Sequence, residues 1–300
     1  MTDDPSRPAV PPYPRGGKLA GGAYWRIGEG GELGGKGLGL WKLRQALAEA
    51  FPHDRFPGTL VTIPALAVLP AEVFARFMER NDLWPVAAER RPDTHVARRF
   101  QQASLPAEIV GDLKGLIDGA FTPLAVRSSS LLEDSLGQPF AGIYATKMIP
   151  NNQASPEERF RRLVEAIKFV YASPFFQAAM DYRDALHVPL RQEGMAVLIQ
   201  EVVGRRHGHR FYPDVSGVGR SFHYYPTGPA RRSDGVIQLA LGLGKTIVDG
   251  ELAWTYSPAH PRVPPPAASV RDLIRQTQSR FWVISMDRPR EYDPLKETEY

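Results

Sequence analysis

Apolar spacing divides the chain into helical and extended stretches. Leu40, Leu43, Leu47 and Ala50 recur at helical intervals and predict an amphipathic helix that Pro52 and Pro57 close. Pro70 stands at a first-turn position ahead of Ala71-Glu72-Val73-Phe74-Ala75-Arg76-Phe77-Met78, and Ile109, Leu113, Leu116 and Ile117 share one face after Leu105-Pro106. Residues 70–119 therefore read as mainly helical. The clearest helix is predicted over 156–172. Ser155 is its N-cap, Pro156 its first residue and Glu158 the capping-box partner; Phe160, Leu163, Val164, Ile167, Val170 and Tyr171 form its buried stripe. Shorter apolar runs predict strands at 60–63, 124–126, 195–203, 218–225 and 236–241, and a last helix is predicted over 270–284. Helical material, a strand, a polar loop, a helix and then several strands make an α+β chain rather than a regular βαβ alternation.

Composition sharpens this picture. Residues 1–22 are dominated by Pro and Gly without apolar periodicity, so a flexible tail is expected there and ordered structure from 23 to 300. With no cysteine, a disulfide scaffold, a Cys-ligated metal and a thiol nucleophile are excluded. The net charge of +4 suits a phosphate-bearing ligand and falls short of a case for nucleic acid. No apolar run approaches the roughly 18 residues that cross a bilayer. The N-terminus has neither the basic nor the apolar region of a signal peptide, so no membrane partner is expected and the cytoplasm is the expected location.

Four segments could carry chemistry. The glycines around Gly28-Glu29-Gly30-Gly31-Glu32-Leu33-Gly34-Gly35-Lys36-Gly37 could let backbone N–H groups approach an anion, with Lys36 as a point charge, or could be a flexible turn. Neither dinucleotide nor Walker A spacing is met, because Leu33 and Gly37 stand where Gly and Ser/Thr are required. Gly242-Leu243-Gly244-Lys245-Thr246 resembles the end of a phosphate loop, but Leu239 occupies the position of its first glycine, leaving a turn or a ligand-facing loop. Arg127-Ser128-Ser129-Ser130 follows an apolar strand and is followed by Glu133 and Asp134. Arginine supplies paired N–H donors and serine adds short ones, a combination suited to a triphosphate. Gln200-Glu201-Val202-Val203 ends the strand from Met195, either as ordinary termination or as backbone presented to a planar base. Arg205-Arg206-His207-Gly208-His209-Arg210 reads as an exposed basic turn, and no metal ligand set stands out.

In order along the chain, Gly34-Gly35-Lys36-Gly37, Leu124-Ala125-Val126-Arg127-Ser128-Ser129, Glu133-Asp134, Phe140-Ala141-Gly142-Ile143-Tyr144-Ala145-Thr146, the run from Met195, Ser216-Gly217-Val218 and Gly242-Leu243-Gly244 resemble the N-terminal ATP-binding domain of phosphoenolpyruvate synthase and pyruvate phosphate dikinase, over about residues 24–290. The resemblance implies an ATP-grasp fold whose two lobes clamp a nucleotide. It also implies ATP and Mg2+ as cofactors, and transfer of a phosphoryl group to a histidine on another domain or a separate chain. It gives Lys36 and Arg127 the phosphates, with Ser128 and Ser129 beside them, gives Gln200, Glu201 and Val203 the adenine, makes 128–142 a loop over the phosphates and puts Gly242 and Gly244 in the cleft lining. A later acidic metal residue, a Gln-x-Arg and a Thr-x-His acceptor setting are not matched (His95 follows Thr94 directly), so the resemblance is to part of an enzyme, C-terminally incomplete. A nucleotide-binding regulatory module without catalysis is the alternative.

Overall fold

The computed structural model describes residues 10–51, 56–130, 142–192, 194–263, 267, 269–287 and 292–296. Contacts divide the chain into two compact units, one of residues 1–202 with 288–299 and one of residues 203–287. In chain order the first unit contains β1 (Tyr24–Arg26), α1 (Gly34–Ala50), β2 (Leu66–Leu69), α2 (Ala71–Arg80), α3 (Trp84–Ala88), α4 (Asp93–Gln102), α5 (Ala107–Gly119), β3 (Leu124–Ser130), β4 (Thr146–Ile149), α6 (Pro156–Ala172), α7 (Gln177–Ala185) and β5 (Met195–Glu201). Among the described residues, its sheet runs β1-β2-β5-β3-β4, parallel between β1 and β2 and antiparallel elsewhere.

The pleat sends alternate residues of the central strands to opposite faces. One face carries Leu66 and Val68 of β2, Ala196, Leu198 and Gln200 of β5, and Ala125, Arg127 and Ser129 of β3, as the register Val68–Leu198–Arg127 shows. Leu40, Trp41 and Leu47 of α1 pack on the apolar part of that face with Tyr24 and Leu33. The opposite face, with Ala67, Leu69, Val126, Val197 and Ile199, enters the main core under Phe74, Phe77, Ile109, Leu113, Leu163 and Ile167. Phe74, Tyr171 and Phe175 meet there as tilted and stacked rings, at centroid separations of 5.1 and 6.3 Å. Each such buried aromatic contributes roughly 1.5–3 kcal/mol relative to exposure. The helix predicted over 156–172 is α6, and the Ser155 hydroxyl accepts the Glu158 N–H.

Several predicted elements change. Residues 10–22 are not a loose tail. Val10, Tyr13 and Leu19 are buried, the Tyr13 N–H donates to the Arg26 carbonyl and the Arg26 N–H to the Pro11 carbonyl, both at 2.8 Å. The free edge of β1 takes an isolated bridge at Pro12, because unpaired backbone groups are costly, and the apolar residues dock singly, without the period that marks an element in sequence. The strand expected at 60–63 forms at Leu66–Leu69 instead, after Pro64. Arg127 does not follow its strand, since β3 continues to Ser130 and pairs with β5 throughout.

The second unit contains β6 (Arg205–His207), β7 (Arg210–Tyr212), β8 (Ser216–Arg220), β9 (Val236–Ala240), α8 (Lys245–Val248), β10 (Trp254–Tyr256), α9 (Val270–Arg275) and β11 (Ile284–Ser285), in antiparallel sheets ordered β10-β9-β8 and β11-β7-β6. The basic turn expected at 205–210 is a β-hairpin. The helix expected to reach 284 stops at Arg275, because the Gln278 side chain pairs with both the N–H and the carbonyl of Leu241, at 2.8 and 3.0 Å, in the manner of a strand neighbour. A cavity of about 630 Å³ in this unit is walled largely by Val215, Leu239, Leu241, Leu252, Trp254 and Leu273.

Candidate anion-binding site

The glycine-dense segment resolves into two parts. Residues 28–31 are tied down: Arg26 Nη1 donates to the carbonyls of Gly28 and Gly30 at 3.2 and 2.9 Å, and the Gly31 N–H donates to Glu72 Oε1 at 3.0 Å. From Gly34 onward the chain is already α1, so Lys36 lies in the first helical turn, which has no acidic side chain. Gly34 has φ +68°, and a Cβ there would lie on top of the Ser129 carbonyl. Only glycine lets α1 approach β3 so closely. The Lys36 ammonium donates to Ser128 Oγ at 3.4 Å, which brings it beside the residue that follows Arg127 in the chain.

Arg127 is half-buried on the α1 face of β3, and its Nη1 donates to Gln200 Oε1 at 3.0 Å. Gln200 is buried, and its amide holds the guanidinium in place from the neighbouring strand. Glu201, at the end of β5, accepts a hydrogen bond from the Thr122 hydroxyl at 3.0 Å; partial burial raises its carboxyl above the usual range, against that hydrogen bond. Ser128 and Ser129 are both fully buried. Lys36, Arg127, Ser128, Ser129, Gln200 and Glu201 thus belong to the first unit, on α1, β3 and β5. Val203, which is 62% exposed, Gly242 and Gly244 belong to the second.

Gly242 has φ +80° in the turn after β9, where its carbonyl accepts from Ser216 Oγ and the next N–H, of Leu243, donates to the Trp282 carbonyl at 2.9 Å. Lys245 lies against Asp249 at 3.0 Å and over the Trp282 ring at 5.4 Å. Glu133, Asp134 and most of the expected phosphate loop at 128–142 lie outside the described residues. Among the described residues, no three His, Asp or Glu side chains cluster as a metal site, and no helix is long and apolar enough to cross a membrane.

The first turn of α1 carries a lysine that reaches Ser128, the neighbour of Arg127 in β3, so donors of the type that bind anions lie on adjoining elements. Sequence reasoning placed Lys36 in a loop ahead of the helix and missed Tyr24, whose buried hydroxyl donates to the Gly37 carbonyl at 2.8 Å. The glycines, poor helix formers, hid the helix start.

The fold is an α+β chain in which a lysine of a helix's first turn contacts the strand that bears an arginine. Residues 31–289 match the family described as pyruvate phosphate dikinase, AMP/ATP-binding domain, and the chain belongs to that family. It is 34% identical over 233 residues, 73% of its own length, to a phosphoenolpyruvate synthase of Aeropyrum pernix. The chain spans about a quarter (26%) of the length of that relative.

Proposed function

We propose that the chain is the ATP-binding module of a phosphotransferase of the phosphoenolpyruvate synthase type, with an ATP-grasp fold, working in the cytoplasm with Mg2+ and passing a phosphoryl group from ATP to a histidine on another domain or chain. The observation that carries this reading is the placement of Lys36, in the first turn of α1, beside the β3 segment that bears Arg127. ATP supplies the phosphoryl group. Lys36 and the N-terminal N–H groups of α1 hold anionic oxygens, while Arg127, oriented by Gln200, offsets the negative charge that grows on the departing and transferred groups. Positioning and electrostatic stabilisation are the main demands of phosphoryl transfer. In the same reading Gln200, Glu201 and Val203 serve the base and Gly242 and Gly244 the nucleotide.

The test is to incubate the chain with ATP radiolabelled at the β or the γ position, together with the histidine-bearing part of a phosphoenolpyruvate synthase. Acid-labile, base-stable label on that partner, reduced at least about tenfold by Arg127→Ala, is the expected result. ATP binding with no label transferred in either case would overturn the catalytic reading and leave a regulatory nucleotide-binding module.

A further inference from the structure

Ser129 is one of the two hydroxyls that the resemblance assigns to the nucleotide, yet its hydrogen bonds point elsewhere. Its Oγ donates to the carbonyl of Leu33 at 2.8 Å and accepts the N–H of Gly37 at 2.9 Å, with the side chain fully buried. Leu33 is the N-cap of α1, and Gly37 is four residues further on. That carbonyl and that N–H are the pair that closes the first turn of an ordinary α-helix. The hydroxyl of a neighbouring strand therefore bridges the two ends of the turn that carries Lys36. The Gly37 peptide is held from its other side as well: its carbonyl accepts from the Tyr24 hydroxyl at 2.8 Å, and that hydroxyl comes from a fully buried ring braced edge-on against Trp41 at 5.3 Å. Close backbone contact between Gly34 and the Ser129 carbonyl fixes the start of the same turn.

We propose that Ser129 and Tyr24 are positioning residues for Lys36 rather than nucleotide ligands. Together they clamp residues 33 and 37 to β3 and to the ring of Tyr24, so the lysine side chain leaves from a turn that is set before ligand arrives. This rests on the reading of Lys36 as a phosphate-binding residue. Pre-set geometry is where such a clamp has its effect, because a displacement of about 1 Å in a positioned group can cost up to a hundredfold.

The experiment is a double-mutant cycle on ATP affinity, read by titration calorimetry, with adenosine as a ligand that lacks the anionic tail. Lys36→Met, Ser129→Ala and Tyr24→Phe are each measured alone, and the latter two also in the Lys36→Met background. Tyr24→Phe keeps the ring and guards against Ser129→Ala failing to fold. The expected result is that Ser129→Ala and Tyr24→Phe each weaken ATP binding about tenfold with Lys36 present and less than about twofold without it, because residues acting through one another are not additive. Adenosine affinity stays within about twofold in all variants, since the clamp touches only the turn that serves the anionic tail. Amide exchange at residues 34–38 of the ligand-free protein accelerates in both clamp variants. An equal loss of ATP affinity in both backgrounds, or no loss when Lys36 is present, would overturn the positioning role. If Lys36→Met leaves ATP affinity unchanged, the failure lies instead with the reading of Lys36 itself.

Discussion

At the scale of single residues, environment separates side chains that the sequence treats alike. Ser128 and Ser129 are adjacent, identical and equally buried, yet one accepts from the Lys36 ammonium and the other braces a helix turn. Arg127 and Gln200 stand far apart in sequence but on diagonal positions of adjacent strands, and no spacing rule joins them. Glu201 shows burial acting on charge. Desolvation raises its folded pKa above the unfolded value despite the Thr122 hydrogen bond. Its contribution to stability is therefore fully present below the unfolded pKa and is lost as pH rises through the folded one. Glu201→Gln keeps an acceptor for Thr122 and removes the charge. Its melting temperature should exceed that of the wild type at pH 8, with the gap closing by pH 4. A variant that melts lower at pH 8, or a gap that widens in acid, would contradict this assignment.

At the scale of elements, α1 and its contact with β3 matter most. A 17-residue helix with four glycines in its first six positions has weak intrinsic propensity. Leu43 (49% exposed) and Ala50 of the expected apolar stripe face out, and the helix is held by the partial burial of Leu40, Trp41 and Leu47 against the sheet and by the grip of β3 on its first turn. Gly34→Ala tests this contact. A Cβ at a positive φ and against the Ser129 carbonyl forces α1 away, at an expected cost of about 2 kcal/mol or more in chemical denaturation, with loss of ATP binding. Unchanged stability would show that the contact is not required.

The same element marks the limit of what the sequence disclosed. The helix α6, the helical character of residues 70–119 and the strand from Met195 were legible because a regular apolar period and capping residues announce them. The start of α1 was hidden by glycines, and the early truncation of α9 by a long-range contact between Gln278 and Leu241. The residues proposed for the anionic tail were legible as types, a lysine among glycines and an arginine before serines. Their supporting partners, Tyr24 and the Leu33 carbonyl, have no local signature, since they acquire their roles only when β1, β3 and α1 pack.

At the scale of the whole molecule, charge and chain path are distributed unevenly. Residues 203–287 carry eleven Lys and Arg against six Asp and Glu, a net of +5, against +4 for the full chain. The first unit is thus close to neutral, and the positive character around Lys36 and Arg127 is of local making. The chain leaves this unit after Val202 and returns to it with residues 292–296. There the buried Lys147 ammonium donates to the carbonyls of Asp293, at 2.7 Å, and Lys296, and lies over the Tyr292 ring at 4.3 Å. This anchors the returning segment to β4.

In the proposed function Lys36 and Arg127, borne by the adjoining α1 and β3, both hold the tail of ATP. Titration calorimetry of ATP with wild type, Lys36→Ala and Arg127→Ala, each first shown to melt cooperatively, addresses it most directly. Each substitution should weaken binding by about tenfold or more, the loss of a charge-assisted hydrogen bond to phosphate. Equal affinity in all three proteins would contradict it.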